Sequence, residues 1–285
     1  MAKGAYTLMR PETQTTGVVF ASPHSGRDYP LWFLKKSILN ERTIRSSEDA
    51  FVDRLFEAAP AFGAPLLLAG APRAFVDLNR APDELDPALI NDVKKTVHNP
   101  RVASGLGVVP RVVSNGRAIY RGKISRDEAD SRIARYWRPY HAMLQELLED
   151  ARAQFGRAIL FDCHSMPHEA IESTRANGRR AEVVLGDRFG AAASSDIVDV
   201  IEAIFTAAGL NVARNAPFAG AYIAQQYGRP SRGQHVVQVE IDRRLYMHED
   251  AVVPSADFAA FQAVMTQVVE EVAAIGRPMV RLAAE

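Results

Sequence analysis

The stretch from Arg157 to Pro167, RAILFDCHSMP, constrains the fold more than any other part of the chain. Its apolar run, Ala158 to Phe161, ends in polar residues, a pattern that predicts a buried strand. Side chains alternate along a strand, so Asp162 and His164 leave it on the same face. In open α/β sheets, ligands bind just beyond the carboxyl ends of the strands. The stretch therefore places an imidazole and a carboxylate where such folds carry out chemistry, although a capped loop with a hydrogen-bonded histidine would contain the same residues.

A second stretch near the start of the chain repeats this pattern. The apolar run Val18 to Ala21 predicts a strand, and Ser-Pro-His-Ser follows it, with His24 in the third position. Two histidines at the ends of neighbouring strands are what a metal site of the His/His/carboxylate kind requires. The alternative is a chance similarity between two short tripeptides. The pair predicts that His24 and His164 meet at a metal site.

The carboxylate of such a site is left open by the residue pattern. Ser46 or Ser47 can cap a helix whose first turn contains Glu48 and Asp49, and the apolar side chains within 51–59 follow at helical spacing. An acid in a first turn either compensates the helix dipole at the surface or serves as a ligand. The pattern alone favours the surface for both acids.

A carboxylate also interrupts a later apolar run. Residues 235–241, HVVQVEI, predict a strand in which Glu240 is the one acidic residue. A buried, unpaired carboxylate costs several kcal/mol, so Glu240 should be paired, neutralised or linked to a metal, with a pKa raised toward that of a general base. The alternative is a solvated strand face that Glu240 shares with Gln238 and Asp242.

A polar pair follows another predicted strand. The apolar residues of Ala74 to Leu78 predict a strand that ends in Asn79 and Arg80. An arginine just beyond a strand end can hold a carboxylate through two parallel hydrogen bonds. Alternatively, Arg80 lies at the surface and bridges to Asp83 or Glu84.

Residues 81–123 have no sustained periodicity and contain several prolines and glycines. A loop of this length inside a domain is usually functional or mobile. We predict a loop-rich insertion that covers a site. Its segment Ile-Tyr-Arg-Gly contains Arg121, which could reach an anion.

The remaining segments complete an alternation of strands and helices. Ser125 and Glu128 match a capping box, Pro139 must kink or break the helix that follows, and His141 on its apolar stripe is expected to be a core histidine. Further strands are predicted at 65–69 and 183–185, and further helices over 191–208 and 258–274. The alternation predicts a three-layer α/β/α sandwich with a mixed sheet, in a single domain over residues 1–285.

Composition limits the classes of function. The 285 residues carry 34 basic and 34 acidic side chains, which gives no electrostatic reason to expect nucleic acid or an anionic membrane as partner. No apolar run approaches the roughly 20 residues of a membrane span, and the first residues lack an apolar signal core. Cys163 is the only cysteine, so no intrachain disulfide can form. We therefore expect a cytoplasmic protein.

Seven short segments, in order, resemble the N-formylglutamate amidohydrolase family and span about residues 18 to 250. They are SPHSG (22–26), EDAFVDRLF (48–56), FVDLNR (75–80), IYRG (119–122), DCHSMP (162–167), GAYIAQQYG (220–228) and QVEIDRRLYM (238–247). The family is similar in fold to the zinc carboxypeptidases and to aspartoacylase-type deacylases. The resemblance implies a phosphorylase/peptidyl-hydrolase-like fold and a Zn²⁺ enzyme that cleaves N-formyl-L-glutamate, a small N-acyl amino acid, to glutamate and formate in histidine degradation.

The resemblance also implies a role for each matching residue. Asp49 would supply the carboxylate ligand, with Glu48 or Asp28 as alternatives to it. The full assignment is His24, Asp49 and His164 as zinc ligands, Glu240 as general base, Asn79 and Arg80 for the substrate carboxylate, and Arg121 for a second carboxylate or the oxyanion.

The chain departs from the family pattern in two places. Many members have Asp-Trp-His-Val-Asp where this chain has Asp-Ala-Phe-Val-Asp at 49–53, and members often have Ile-Thr-Arg where it has Ile-Ala-Gln at 223–225. Both departures favour a different N-acyl amino acid or a short peptide as an alternative substrate. A carboxypeptidase-like protease and a binding protein without catalysis are the further alternatives.

Cys163 beside His164 invites a competing hypothesis of a thiol nucleophile. Neighbouring residues of a strand point to opposite faces, so the thiol is expected to point away from the face of His164.

Overall fold

Seven strands form one mixed sheet in the computed structural model, which describes residues 4–94, 99–176 and 178–278. The strands in chain order are β1 (Tyr6–Met9), β2 (Val18–Ser22), β3 (Leu66–Ala69), β4 (Ala158–Met166), β5 (Arg175–Ala176), β6 (Arg179–Arg180), β7 (Val183–Gly186), β8 (Val212–Arg214), β9 (Gln234–Asp242), β10 (Met247–His248) and β11 (Val253–Pro254). The sheet order is β1-β3-β2-β4-β9-β7-β8, and β5-β6 and β10-β11 are separate pairs. Within the sheet, β1 and β7 run antiparallel to β3 and β9, and the other pairs are parallel.

Helices cover both faces of this sheet. They are α1 (Leu31–Lys36), α2 (Glu41–Ile44), α3 (Val52–Leu55), α4 (Pro100–Ala103), α5 (Arg126–Arg132), α6 (Arg138–Phe155), α7 (Ser195–Ala207), α8 (Tyr222–Tyr227) and α9 (Phe258–Ile275). One apolar core packs α3, α7 and α9 on one face, and a second packs α1, α6 and α8 on the other. The predicted three-layer α/β/α sandwich with a mixed sheet is confirmed.

The two central strands, β4 and β9, are paired in parallel over nine residues, and every residue of both is buried. β4 continues to Met166, beyond the predicted apolar run, so Asp162 and His164 lie inside the strand. The interpretation of Gln238, Glu240 and Asp242 as a solvated face is wrong, because the layer that contains α6 and α8 covers that face.

Two further predictions of local structure are wrong. Ala74 to Leu78 form turns that begin at Pro72, whose carbonyl accepts hydrogen bonds from the backbone of residues 75 and 76. The helix predicted from residue 48 is replaced by a 3-10 turn at Arg45–Ser47 and the short α3. Phe51, which precedes α3, has a φ of 67°, and this left-handed backbone prevents one continuous helix.

The helix after Ser125 begins and breaks as predicted. Ser125 caps α5 by accepting a hydrogen bond from the backbone N–H of Glu128. A π-helical turn at Ile133–Trp137 separates α5 from α6, whose first turn contains Pro139. His141 is a core histidine, as predicted: its ring contacts Leu78 O at 2.8 Å and Tyr227 Oη at 2.9 Å, and burial lowers the pKa of His141 to about 4.

The predicted loop-rich insertion lies against the segment that carries Asn79. Its described part contains α4 and isolated bridges, while residues 95–98 lie outside the described residues. Val108 O accepts a hydrogen bond from Asp77 N at 2.8 Å.

At the other end of the chain, α9 is by length and composition a candidate membrane span. Seven of its side chains, however, are buried in the core, as in a core helix of a globular domain.

Candidate metal centre

Two histidines and one aspartate converge beside the carboxyl ends of β2 and β4. These strands are parallel neighbours, as their sequence pattern predicts, so His24 and His164 lie side by side. Asp49 joins them because its backbone N–H donates to His24 O at 3.0 Å. All three residues are at most 2% exposed, and one ligand atom from each lies within 4.8 Å of the others.

Each histidine presents its Nδ1 atom to this group and its Nε2 atom to a second carboxylate. His24 Nε2 lies 2.7 Å from Asp77 Oδ1, and His164 Nε2 lies 3.1 Å from Asp162 Oδ2. The hydrogen bond to Asp77 places the ring proton of His24 on Nε2 and leaves a lone pair on its Nδ1. Both Nδ1 atoms face Asp49 Oδ2, at 3.5 Å from His24 and 3.0 Å from His164.

This arrangement fits a metal ion. In neutral histidines the three converging atoms are all acceptors, and among the described residues His24 Nδ1 is buried without a hydrogen-bond partner. Burial alone would raise the pKa of Asp49, but His164 and His24 lower it well below its usual range. Burial would likewise lower the pKa of His164, but Asp162 and Asp49 raise it well above its usual range. These shifts show that the site concentrates negative charge, as a cation requires.

The alternative carboxylates do not join the two histidines. Glu48 is buried, but its carboxylate accepts hydrogen bonds from Arg45 and from Tyr29 Oη at 2.6 Å. Within the described ranges, the group that could hold a metal contains neither Glu48 nor Asp28. Asp49 is 1% exposed, so its interpretation as a surface acid is wrong.

Glu240 lies on the strand next to His164 and on the same face. The two residues are register partners in the β4–β9 pair. Gln238 Nε2 donates to Glu240 Oε1 at 2.9 Å and fixes the carboxyl orientation. Burial raises the pKa of Glu240 to about 7, despite the opposing charge of His164. A carboxyl group of this kind can accept and return a proton near neutral pH.

Asn79 lies at the same site. Its Oδ1 accepts from Ile223 N at 2.8 Å, and its Nδ2 lies 3.3 Å from Gln238 Oε1. Arg80 donates to the carbonyls of residues 79 and 106, and its Nε lies 3.9 Å from Glu84 Oε2. The predicted alternative of a contact with Glu84 therefore exists, but Arg80 is 6% exposed and is not a surface residue.

The structure does not bring Arg121 to this site. Arg121 is exposed, and across the described chain it forms no hydrogen bond or ion pair with the metal group. Two other arginines are present instead. Arg243 Nη2 donates to Asp49 Oδ1 at 3.0 Å, and Arg73 Nε donates to Asp77 Oδ2 at 3.1 Å.

Sequence reasoning missed both arginines. Burial alone would lower the pKa of Arg73, but carboxylates, Asp77 first among them, raise it above its usual range. Asp49 and Glu240 are among these carboxylates, which places the charge of Arg73 beside the site. The position of Arg243, three residues after Glu240, was the one signal available in the sequence.

Cys163 points away from this site, as predicted. Its side chain belongs to the apolar core of the opposite face, and burial raises the pKa of its thiol well above the usual value. A buried, protonated thiol is a poor nucleophile.

We therefore expect Cys163→Ala to leave kcat/KM unchanged, while the small cavity lowers the free energy of unfolding by about 1 kcal/mol. Steady-state kinetics and urea unfolding measure the two effects. Loss of activity in a folded Cys163→Ala variant would restore the thiol hypothesis.

Known proteins resemble this chain over nearly all of its length. The sequence model of the N-formylglutamate amidohydrolase family matches residues 16–247. The N-formylglutamate deformylase of Pseudomonas aeruginosa is 31% identical over 270 residues, which is 91% of this chain and 94% of that protein. The N-formylglutamate deformylase of Pseudomonas putida is 26% identical over 223 residues, which is 76% of each protein.

Solved structures agree with these sequence matches. The crystal structure of N-formylglutamate amidohydrolase from Ralstonia eutropha JMP134 has a TM-score of 0.89 and 35% identity, covering 97% of this chain and 99% of that one. A gene product of Agrobacterium tumefaciens, 15% identical with a TM-score of 0.63 over 96% of both chains, shares the fold. From the extent of the family match and the identity to the Pseudomonas aeruginosa protein, the chain belongs to the N-formylglutamate amidohydrolase family.

Proposed function

We propose that this protein is a metal-dependent amidohydrolase that cleaves N-formyl-L-glutamate to glutamate and formate. The observation that carries the proposal is the convergence of His24, Asp49 and His164, with Glu240 on the neighbouring strand. The names of the relatives supply the substrate. The single cysteine, which excludes an intrachain disulfide, favours a reducing compartment, and we propose the cytoplasm.

Zn²⁺ is the metal that we propose for the site. Two imidazole nitrogens and one carboxylate oxygen are a common donor set of catalytic zinc, and His24, His164 and Asp49 offer these atoms. When bound, zinc supplies a Lewis acid that polarises the acyl carbonyl and makes water more acidic.

The residues around the metal group would carry the remaining chemistry. Glu240 accepts the proton of the attacking water and passes it to the leaving amine nitrogen. Arg73, whose charge lies beside Glu240, stabilises the oxyanion in place of Arg121. Asn79 and Arg80 bind a carboxylate of the substrate, consistent with their position at the edge of the site.

The direct test is formate release from N-formyl-L-glutamate by the zinc-loaded protein, with N-acetyl-L-glutamate, N-formyl-L-aspartate and a hippuryl peptide in parallel. Rapid turnover of N-formyl-L-glutamate alone supports the proposal. Turnover of another compound in preference would support the alternative substrate that the Ile-Ala-Gln segment at 223–225 favours. Absence of both zinc binding and turnover would contradict hydrolase function.

Asp77→Asn is expected to weaken zinc binding about 10- to 100-fold, because the amide no longer fixes the proton on His24 Nε2. Competition with a chromophoric chelator measures the affinity. The matched control is Asp86→Asn, which removes another buried carboxylate that is paired with Arg111 at 2.7 Å. An equal loss of affinity in both variants would point to general destabilisation.

The pH dependence of kcat/KM should show an acid limb from Glu240. Burial raises the pKa of Glu240 to about 7, and a bound cation would lower it from there, so the inflection should lie at or below pH 7. Below its pKa the carboxyl is protonated and cannot act as a base, so activity falls about tenfold per pH unit. If the acid limb persisted unchanged in Glu240→Gln, the group that titrates would be a residue other than Glu240.

A further inference from the structure

An unusual turn follows β7 at the edge of the site. Arg188 and Phe189 have φ values of 56° and 55°, and Asn215 opposite them has 58°. L-amino acids rarely adopt this backbone, and it persists only where the surrounding contacts impose it. Asn215 imposes it here, since its Oδ1 accepts from the N–H groups of Asp187 and Phe189, and its Nδ2 donates to Asp187 Oδ1 at 2.6 Å.

A close backbone contact connects this turn to the site face of the sheet. Gly186 pairs with Gln238 in the antiparallel β7–β9 ladder, so its missing side chain would point to the face of Gln238 and Glu240. A Cβ at Gly186 would lie 2.7 Å from the carbonyl carbon of Ala219, which is too close for any other residue. The backbone of 218–220 therefore lies on the site face of β7.

The same segment is tied to the general base. The N–H of Ala221 donates to Gln238 Oε1 at 3.0 Å, and Gln238 in turn donates to Glu240. Arg188 lies alongside this segment: its N–H donates to Ala219 O at 2.8 Å, and a Cβ at Gly220 would lie 3.2 Å from Arg188 Cγ. The strained turn thus holds an arginine against the segment that borders Glu240.

The guanidinium of Arg188 is available for a ligand. Within residues 4–94, 99–176 and 178–278 it forms no hydrogen bond or ion pair, although the residue is half-buried. In contrast, Arg73 and Arg243 are each paired with a carboxylate of the site. N-formyl-L-glutamate carries two carboxylates, so one subsite at Asn79 and Arg80 leaves the second without a partner.

We propose that Arg188 binds the side-chain carboxylate of the substrate and thereby selects glutamate over its neutral analogues, an inference that rests on the proposed function. The planar guanidinium matches a carboxylate through two parallel hydrogen bonds. The strained backbone at 188 and 189 serves to hold this side chain against the segment at 218–221.

The test compares Arg188→Ala and Arg188→Lys with the wild type on two substrates, N-formyl-L-glutamate and the neutral N-formyl-L-glutamine. We expect Arg188→Ala to lower kcat/KM for the glutamate substrate about 100-fold, mainly through KM, as loss of a charge-assisted pair predicts. The glutamine substrate should be nearly unaffected, and lysine should restore part of the loss. Arg179→Ala, which removes the charge of an exposed arginine, is the control and should match the wild type.

The outcomes of this test distinguish failure of the role proposed for Arg188 from failure of the proposed function. Wild-type turnover of N-formyl-L-glutamate with full activity in Arg188→Ala overturns the role of Arg188 alone. An equal loss on both substrates also overturns it, because disruption of the turn would act on any substrate. Absence of wild-type turnover overturns the proposed function and this inference together.

Discussion

Replacing Glu240 with glutamine is expected to reduce kcat about a thousandfold and to leave zinc content unchanged. General acid–base catalysis contributes roughly 10²- to 10⁴-fold, and an amide cannot accept the proton of the attacking water. Glutamine has the same shape, and its Oε1 can still accept the hydrogen bond from Gln238. Glu240 is not among the three converging ligand atoms, so metal binding should survive. Steady-state kinetics and metal analysis of the purified variant measure both quantities.

Stability provides the control for this variant. Burial raises the pKa of Glu240 to about 7. At pH 8 the buried carboxylate is therefore ionised at a cost in folding free energy, and a neutral glutamine does not carry this cost. The metal-free variant should therefore melt no lower than the metal-free wild type at pH 8. Asp242→Asn, two positions along β9 and paired with His168, should keep activity. Retention of activity in Glu240→Gln would remove Glu240 from the role of base.

His164→Ala is expected to weaken zinc binding about 100- to 1,000-fold and to abolish measurable hydrolysis. Structural zinc sites gain about 10–16 kcal/mol from four ligands, so one ligand is worth roughly 3 kcal/mol. Removing this imidazole also leaves the charges of Asp49 and Asp162 without the histidine between them. Isothermal titration with Zn²⁺ measures the affinity, and formate release measures the activity.

The exposed His248 provides the matched control for this change. His248→Ala should bind zinc and turn over substrate as the wild type does. If His164→Ala kept wild-type zinc affinity, the proposed metal centre would be wrong, whatever its activity. If both variants lost zinc equally, the metal would be bound elsewhere.

The part of the site that lies on or directly after strands could be predicted from sequence. His164 and Glu240 lie on strands whose period fixes the face of each side chain, and His24 follows the neighbouring strand. The alternation of predicted strands and helices also predicted the mixed sheet and the two helical layers that cover it. The orientation of Cys163 also followed, because only the alternation of the strand determines it.

Residues held by tertiary contacts could not be predicted in the same way. Asp49 was assigned only through the family resemblance. The local pattern predicts one helix with Asp49 at its surface, and the left-handed backbone of Phe51, which prevents that helix, is not visible in the pattern. The pairing of Asp77 with His24 spans 53 residues, and no local pattern encodes it. Arg121 was assigned through the family resemblance, whereas Arg73 reaches the surroundings of Glu240 through tertiary packing that no local pattern encodes.

Because β4 and β9 lie at the centre of the sheet, the groups proposed for catalysis and the groups proposed for substrate binding lie on different parts of the fold. The proposed proton-transfer group and one metal ligand lie on strands whose nine residues are all buried, where substitutions disturb the core. The residues proposed to bind the substrate carboxylates, Asn79, Arg80 and Arg188, lie instead on turns outside these strands. Side-chain substitutions at these turns can therefore change the acyl amino acid that is accepted, so a library for directed evolution should vary these three positions and keep β4, β9 and Gly186 unchanged.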